Sequence, residues 1–233
     1  MSALPVLVVR PRPGADRTLE AARAMGLDAA AYPLFAVEAV PWEPVPREAV
    51  DALLLGSANA LRHAGPRLAD YAGLPAYAVG ETTARAAREA GLDVVTTGTG
   101  GLQPVLDGVA PAHRRLLRLA GRKHTPLLEP AGVTLIERVV YASVPVAMER
   151  GLEQALRAPA LVLLHSGEAA AHFALSCAAA GIARERIALA AIARGVAARA
   201  GDGWAQVRSA SRANDAALLA LAAEMCQEAG KPS

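Results

Sequence analysis

One local pattern occurs twice in this chain, and the repeat constrains the fold more than any other feature. Leu53-Leu54-Leu55-Gly56-Ser57-Ala58-Asn59-Ala60 runs from an apolar strand through a small polar turn into a helix. Ala78-Val79-Gly80-Glu81-Thr82-Thr83-Ala84 does so again, and its helix stops at Gly91 before the strand-like Val94-Val95-Thr96. In the second half, Leu161-Val162-Leu163-Leu164-His165-Ser166-Gly167-Glu168 repeats the first phrase. Ala191-Ile192-Ala193-Arg194-Gly195-Val196-Ala197 repeats the second, ending at Gly201 before Trp204-Ala205-Gln206-Val207. Alternating strands and helices of this kind build α/β units with parallel sheets. The expected fold is therefore two similar parallel-sheet α/β domains.

The rest of the chain says how they are threaded. Leu4 to Val9 is an apolar run too short for a helix, which reads as a parallel strand buried on both faces. Leu19, Ala22 and Met25 then recur at helical spacing until Gly26. Between Tyr32 and Pro46 the chain is Pro-rich and aperiodic, placing a first inter-domain crossing near Pro33 to Val37. Val133, Leu135, Glu137, Val139 and Tyr141 alternate along an extended segment that Pro145 closes, placing the second crossing there. A helix around Met148 to Leu156 opens the second copy. A final amphipathic helix starts at Asn214 or Asp215 with Leu218, Leu221 and Met225 on one face. The N-terminal strand and helix then join the C-terminal copy. One discontinuous domain (residues 1–35 with 146–233) carries an inserted one (36–145), joined by a two-stranded linker with a cleft between them.

Composition narrows the partners. With 53% hydrophobic but only 3% aromatic residues, the core must be Ala, Leu and Val. The net charge of +2 comes from interspersed charges without a basic-aromatic stripe, which argues against nucleic acid or a membrane surface. Cys177 and Cys226 form no paired motif, and no stretch of about 20 apolar residues occurs. A soluble, cytoplasmic monomer is expected.

In a parallel α/β sheet, ligands bind beyond the carboxyl ends of the strands, where helices begin. Unpaired N–H groups and hydroxyls there suit carboxylates and phosphates. Ser57 with Ala58 and Asn59, Gly80 with Thr82 and Thr83, and Ser166 with His165 and Gly167 stand at such turns. The same hydroxyls are also ordinary helix caps, worth about 1 kcal/mol each. Thr97-Gly98-Thr99-Gly100-Gly101 has neither the lysine of a P-loop nor a dinucleotide spacing, and reads as a connector. His165 and His172 have no accompanying ligand set for a metal. Gly56-Ser57 and Ser166-Gly167 are not a nucleophile elbow.

The order Val8-Val9-Arg10-Pro11, Tyr32-Pro33-Leu34, Gly56-Ser57-Ala58-Asn59-Ala60, Val79-Gly80-Glu81-Thr82-Thr83-Ala84, Val139-Val140-Tyr141 and Leu164-His165-Ser166 resembles the uroporphyrinogen-III synthase family over nearly the whole chain. The resemblance implies a cofactor-free lyase whose substrate is hydroxymethylbilane, a linear tetrapyrrole with eight carboxylates. The terminal hydroxyl is removed, the last pyrrole ring is inverted through a spiro intermediate, and the macrocycle closes to uroporphyrinogen III. Tyr141 matches the family tyrosine proposed to protonate the departing hydroxyl; a phenol, with an ordinary pKa of about 10, carries a proton at neutral pH. The resemblance also assigns substrate contacts to Ser57, Thr83 and Ser166, and Arg10 after the first strand is a candidate carboxylate partner or a salt bridge to a neighbouring loop.

One departure stands out. Where the family has Ile-Gly-Pro-x-Thr-Ala, this chain has Ile192-Ala193-Arg194-Gly195-Val196-Ala197, so a hydroxyl is lost and Arg194 is gained. Arg194 replaces the lost contact, or part of the substrate grip is gone. The departure keeps open a non-catalytic module for another polyanionic small molecule. A nucleotide-sugar enzyme is disfavoured, because the chain has no diphosphate signature.

Overall fold

The computed structural model describes residues 4–230. In chain order the elements are β1 (Val6–Val8), α1 (Gly14–Ala24), β2 (Ala29–Ala31), β3 (Phe35–Ala39), β4 (Ala52–Leu55), α2 (Ala58–His63), β5 (Pro75–Val79), α3 (Glu81–Glu89) and β6 (Asp93–Gly98). There follow α4 (Leu102–Asp107), β7 (Arg115–Gly121), β8 (Thr134–Pro145), α5 (Arg150–Ala155), β9 (Ala160–Leu164), α6 (Gly167–Ala179), β10 (Ile187–Ala191), α7 (Arg194–Ala198), β11 (Gln206–Ser209) and α8 (Asp215–Ala229). They form two compact units, whose boundaries fall between Ala36 and Val37 and between Ser143 and Val144. Both boundaries lie inside strands, β3 and β8.

The first unit holds a five-stranded parallel sheet in the order β11-β10-β9-β1-β2. Its inner strands β1, β9 and β10 are apolar throughout because both faces are covered, whereas the edge strand β11 is polar and largely exposed. Val6, Val8, Leu161 and Leu163 meet Leu218, Leu221, Ala222 and Met225 of α8 and Ala15 and Ala22 of α1. Leu7, Val162 and Leu164 face the other way, onto Ala170, Phe173 and Cys177 of α6 and Leu152 of α5. Alternation with period two thus sends neighbouring side chains into two separate cores. Asn214 caps α8, its side chain accepting from the Ala217 N–H at 2.9 Å. Met25 is 48% exposed rather than part of the α1 stripe, because α1 ends at Ala24 and the chain turns at Gly26 with φ of 77°.

The second unit holds a six-stranded sheet in the order β3-β8-β7-β4-β5-β6, with parallel pairing from β8 through β6. Leu53, Leu55, Leu117 and Leu119 pack with Leu61 of α2 and Ala87 of α3, while Ala52, Leu54 and Leu116 pack with Val105 and Leu106 of α4. Strand β8 departs from simple alternation. Its register against β7 slips between Ala120 and Gly121, whose partners are Val139 and Tyr141. Skipping Val140 breaks the shared face. Leu135 and Val133 lie on the α4 side, whereas Tyr141 packs with Ile136 and Val140 against the opposite core.

The two sheets are circular permutations of one design. The first reads β11-β10-β9-β1-β2 and the second β6-β5-β4-β7-β8 before its edge strand β3. The repeated phrases supply β9-β10-β11 and β4-β5-β6. The remaining pair comes from before the repeat in one unit and from after it in the other. In each unit, chain order reverses at one point, between β9 and β1 and between β4 and β7, and such switch points are where open α/β sheets bind ligands.

Candidate functional site

At the switch point of the first unit, the chain leaves β1 into Arg10 and β9 into His165. The two side chains converge on Asp215, the first residue of α8. Arg10 Nη1 lies 2.9 Å from both Asp215 carboxylate oxygens, and the fully buried Thr18 hydroxyl donates to Oδ2 at 2.8 Å. His165 Nε2 is 3.1 Å from Oδ1, yet neither buried ring nitrogen has an aligned hydrogen-bond partner among the described residues. Contact with the His165 ring, then the Thr18 hydroxyl and the Arg10 guanidinium, hold the Asp215 carboxyl at about 2, against the raising effect of burial. Arg10, a sequence candidate for substrate contact, is thus engaged by an internal carboxylate. Asp215 and Thr18 were not legible as its partners, since 205 and 8 residues separate them from Arg10.

At the switch point of the second unit lies a cavity of about 430 Å³. Ser57 after β4, Gly101 before α4, Gly121, Lys123 and His124 after β7, and Tyr141 of β8 are among its lining residues. Tyr141 lies directly over Gly121: a Cβ there would come within 2.5 Å of the phenol Cζ and 2.8 Å of its oxygen. The His63 ring sits 6.3 Å from the Tyr141 ring, its pKa lowered by burial and then by Arg62. The loop after β7 is held by Arg118, a charged residue inside the buried strand β7. Its guanidinium donates to Glu137 at 2.5 Å and to the Thr125 carbonyl at 2.9 Å. His124 places Nδ1 2.7 Å from the Gly121 carbonyl and Nε2 3.3 Å from Glu137.

The remaining candidates begin helices. The Ser57 and Ser166 oxygens accept from the N–H of Asn59 and Ala169, so both act as caps while each keeps its own O–H to donate. Ala58 is buried in the first turn of α2 and Asn59 receives the Arg62 guanidinium at 3.0 Å. Gly80 precedes α3 at φ 75°, a conformation that suits glycine; Thr82 is exposed there and Thr83 buried. Gly167 lies under the Arg199 side chain, whose Cγ would be 2.9 Å from an added Cβ. Arg194 opens the five-residue α7, is exposed, and makes no side-chain bond to another described residue. Val196 packs against the α6-side core, which accounts for an apolar side chain at that place. The sequence reading found Ser57 and Tyr141 but missed Arg118, Gly121, Lys123 and His124. The available signals were a lone Arg within an apolar strand and a basic cluster following it. Gly100 and Gly101, read as connector, also line the cavity.

A sequence model of the family described as uroporphyrinogen-III synthase HemD matches residues 16–220. The chain belongs to the uroporphyrinogen-III synthase family. Its role is accordingly in tetrapyrrole biosynthesis, as an enzyme of the lyase/cyclase type. Among solved structures it is similar to the uroporphyrinogen-III synthetase of Helicobacter pylori 26695, at 17% identity and a TM-score of 0.61, covering 95% of this chain and 99% of that one. It also matches the wild-type uroporphyrinogen III synthase of Thermus thermophilus, at 20% identity and a TM-score of 0.45, covering 98% and 100%. The first of these supports the shared two-domain α/β fold. No curated protein sequence gives a significant match. No helix among the described residues is long and apolar enough to cross a membrane.

Proposed function

We propose that this uroporphyrinogen-III synthase family member cyclises hydroxymethylbilane to uroporphyrinogen III with inversion of the last pyrrole ring, with Tyr141 as its proton donor. The observation that carries the reading is the family match over residues 16–220. The Tyr141 phenol beside a cavity at the switch point of its unit supports the catalytic role. The phenol proton passes to the leaving hydroxyl oxygen as the C–O bond breaks. Both bond electrons depart with water, and the pyrrole nitrogen lone pair stabilises the cation that remains. The bridged α-carbon of the last ring attacks that cation to form the spiro centre. Its bond to the neighbouring bridge carbon then breaks, and the bridge carbon rejoins at the ring's free α-carbon, whose proton is lost and restores the phenol. Closure itself is facile, and without guidance gives the uninverted isomer, so the protein's main work is to hold a reactive fold.

The eight carboxylates need many modest donors. Ser57, Ala58 and Asn59, Gly80, Thr82 and Thr83, and His165, Ser166 and Gly167 are proposed to offer backbone N–H groups or hydroxyls. The helices α3 and α6, of 9 and 13 residues, add a dipole that the six-residue α2 and five-residue α7 supply far less. Arg194 is proposed to supply charge where Val196 lacks a hydroxyl. Arg10 acts through its ion pair with Asp215, which shapes the turn after β1. The test is to incubate the purified protein with hydroxymethylbilane, oxidise the products and separate the isomers by chromatography. Predominantly type III product supports the proposal, and type I product at the uncatalysed rate overturns it.

A further inference from the structure

A cavity of the first unit lies at the opposite end of its sheet from the switch point, where the strands begin. It measures about 450 Å³ and sits between the amino ends of β9, β10 and β11 and the last turns of α8. That volume is within the range of small-molecule sites, roughly 300 to 1,000 Å³. The hollow exists because small residues stand where larger ones would close it. Ala188 of β10 pairs in register with Gln206 of β11 and meets the α8-side core with only a methyl group. Ala205 before β11 and Ala229 at the end of α8 leave further room. Leu4 and the buried Met225 give an apolar floor, and the exposed Ala205, Gln206 and Ala229 keep the mouth open to solvent.

The charged residues of this lining, Arg186 and Glu228, differ in what they touch. Arg186, in the turn that leads into β10, is exposed and makes no side-chain hydrogen bond or ion pair to another described residue. Glu228 is already engaged: Arg208 donates to its two oxygens at 3.1 and 3.3 Å, and to Glu224 at 3.0 Å. A free guanidinium beside an apolar hollow matches a carboxylate on an apolar body, since its fork of donors fits the two oxygens. Among the described residues that line the cavity there is no aromatic ring, so an alkyl chain finds its contacts there and a flat ring finds nothing to stack on. A second carboxylate on the ligand would meet Glu228, which disfavours a polycarboxylate such as a tetrapyrrole. We infer that this cavity binds an aliphatic monocarboxylate, with its carboxylate on Arg186 and its chain over Leu4, Ala188 and Met225. The site stands apart from both switch points and does not depend on the synthase reading.

The probe is decanoate, kept below its micelle-forming concentration, titrated into the full-length protein and followed by amide NMR. Saturable shifts are expected at Arg186, Ala188, Gln206 and Glu228, with none at Ser57 or Tyr141. Affinity should rise about three- to fourfold per methylene from hexanoate to decanoate, since burying one CH₂ is worth about 0.8 kcal/mol. Arg186→Gln keeps a long side chain but removes the charge, and should weaken decanoate about tenfold while leaving decanol unchanged. Ala205→Trp, at an exposed residue of the mouth, fills the hollow and should abolish the shifts; Ala229→Trp is the second filling variant if Ala205→Trp misfolds by circular dichroism. Shifts that are absent, that never saturate, or that survive both filling variants overturn the proposal. Equal binding of decylammonium overturns it too, because Arg186 would then play no part. So does binding seen only after deletion of residues 1–3 or 231–233, since the chain's own ends would then be the occupants. Formation of type III product is read separately, and its failure would remove the synthase reading while leaving this site in place.

Discussion

Asp215→Asn should destabilise the first unit by about 1–2 kcal/mol at pH 7 and by almost nothing near pH 2. The Asp215 carboxyl is held at about 2 instead of 3.8, chiefly by the His165 ring, with Thr18 and Arg10 adding to it. At about 1.4 kcal/mol per pH unit, that displacement corresponds to about 2.4 kcal/mol of native-state preference for the ionised form. The carboxyl is 38% exposed, so solvent screening reduces the figure to the lower range. The native value lies below the unfolded one. The stabilisation is therefore fully present above about pH 4 and is lost as the pH falls through the native value near 2. Asn is isosteric and leaves the Asn214 cap untouched, so the helix start should persist. The assay is urea unfolding of both proteins from pH 2.5 to 7, followed by Trp204 fluorescence in a Trp42→Phe background so that only the first unit reports. The stability gap should shrink steadily below pH 4. A loss under about 0.3 kcal/mol at pH 7, or a gap that does not change with pH, would refute the electrostatic argument and leave Asp215 as a packing residue.

Tyr141→Phe keeps the ring and its packing, so the fold should survive while turnover falls by ~10²–10⁴, read from initial rates at saturating substrate; wild-type turnover would exclude the phenol as donor. Gly121→Ala should push the phenol off its seat and reduce kcat more than KM. In a Tyr141→Phe background the same change should cost little further, and an additive loss would show that Gly121 acts on folding alone. Tyr71→Phe removes a hydroxyl that donates to the Val45 carbonyl at 2.7 Å and accepts from its N–H at 2.9 Å in full burial, so urea unfolding should show a loss of about 1–3 kcal/mol. Arg194→Ala should raise KM without changing stability if the arginine replaces the contact missing at Val196, and an unaltered KM would dispose of the compensation.

How much of this was legible follows from how local each signal is. Strands such as Leu53–Leu55 and Leu161–Leu164 announce themselves because a run buried on both faces is apolar without interruption, and their turns are marked by Gly, Ser and Thr. The Asn214 cap is equally local. The slip at Val140 was not, because it depends on how β8 pairs with β7, and the alternation of Leu135, Val139 and Tyr141 reads as one face until that pairing is known. The clusters around Asp215 and Arg118 were hidden for the same reason. Arg10 and Asp215 meet only because α8 returns to β9 and β10. Arg118 looks like a surface charge until the strand around it is seen to be buried. Ser57 was found because its strand-to-helix turn is repeated at Ser166, whereas Lys123 and His124 follow a strand whose turn resembles none of the phrases repeated in the chain.

The permuted design explains why two units of one architecture came to have unlike switch points. The strands that the repeat supplies, β4 and β9, end in similar turns, Gly56-Ser57 and His165-Ser166, because both copies are read from the same phrase. The partner strand across the switch point comes from outside the repeat each time, β7 in one unit and β1 in the other. Its turn is therefore free to differ. After β1 the chain places Arg10, which closes on Asp215. After β7 it places Gly121, which leaves room for a phenol above it and an open cavity beside it. At the first switch point the charged side chains are paired with one another. At the second a cavity opens, and among the described residues Tyr141 is the phenol that borders it. The proposed proton donor Tyr141 therefore belongs to the second unit.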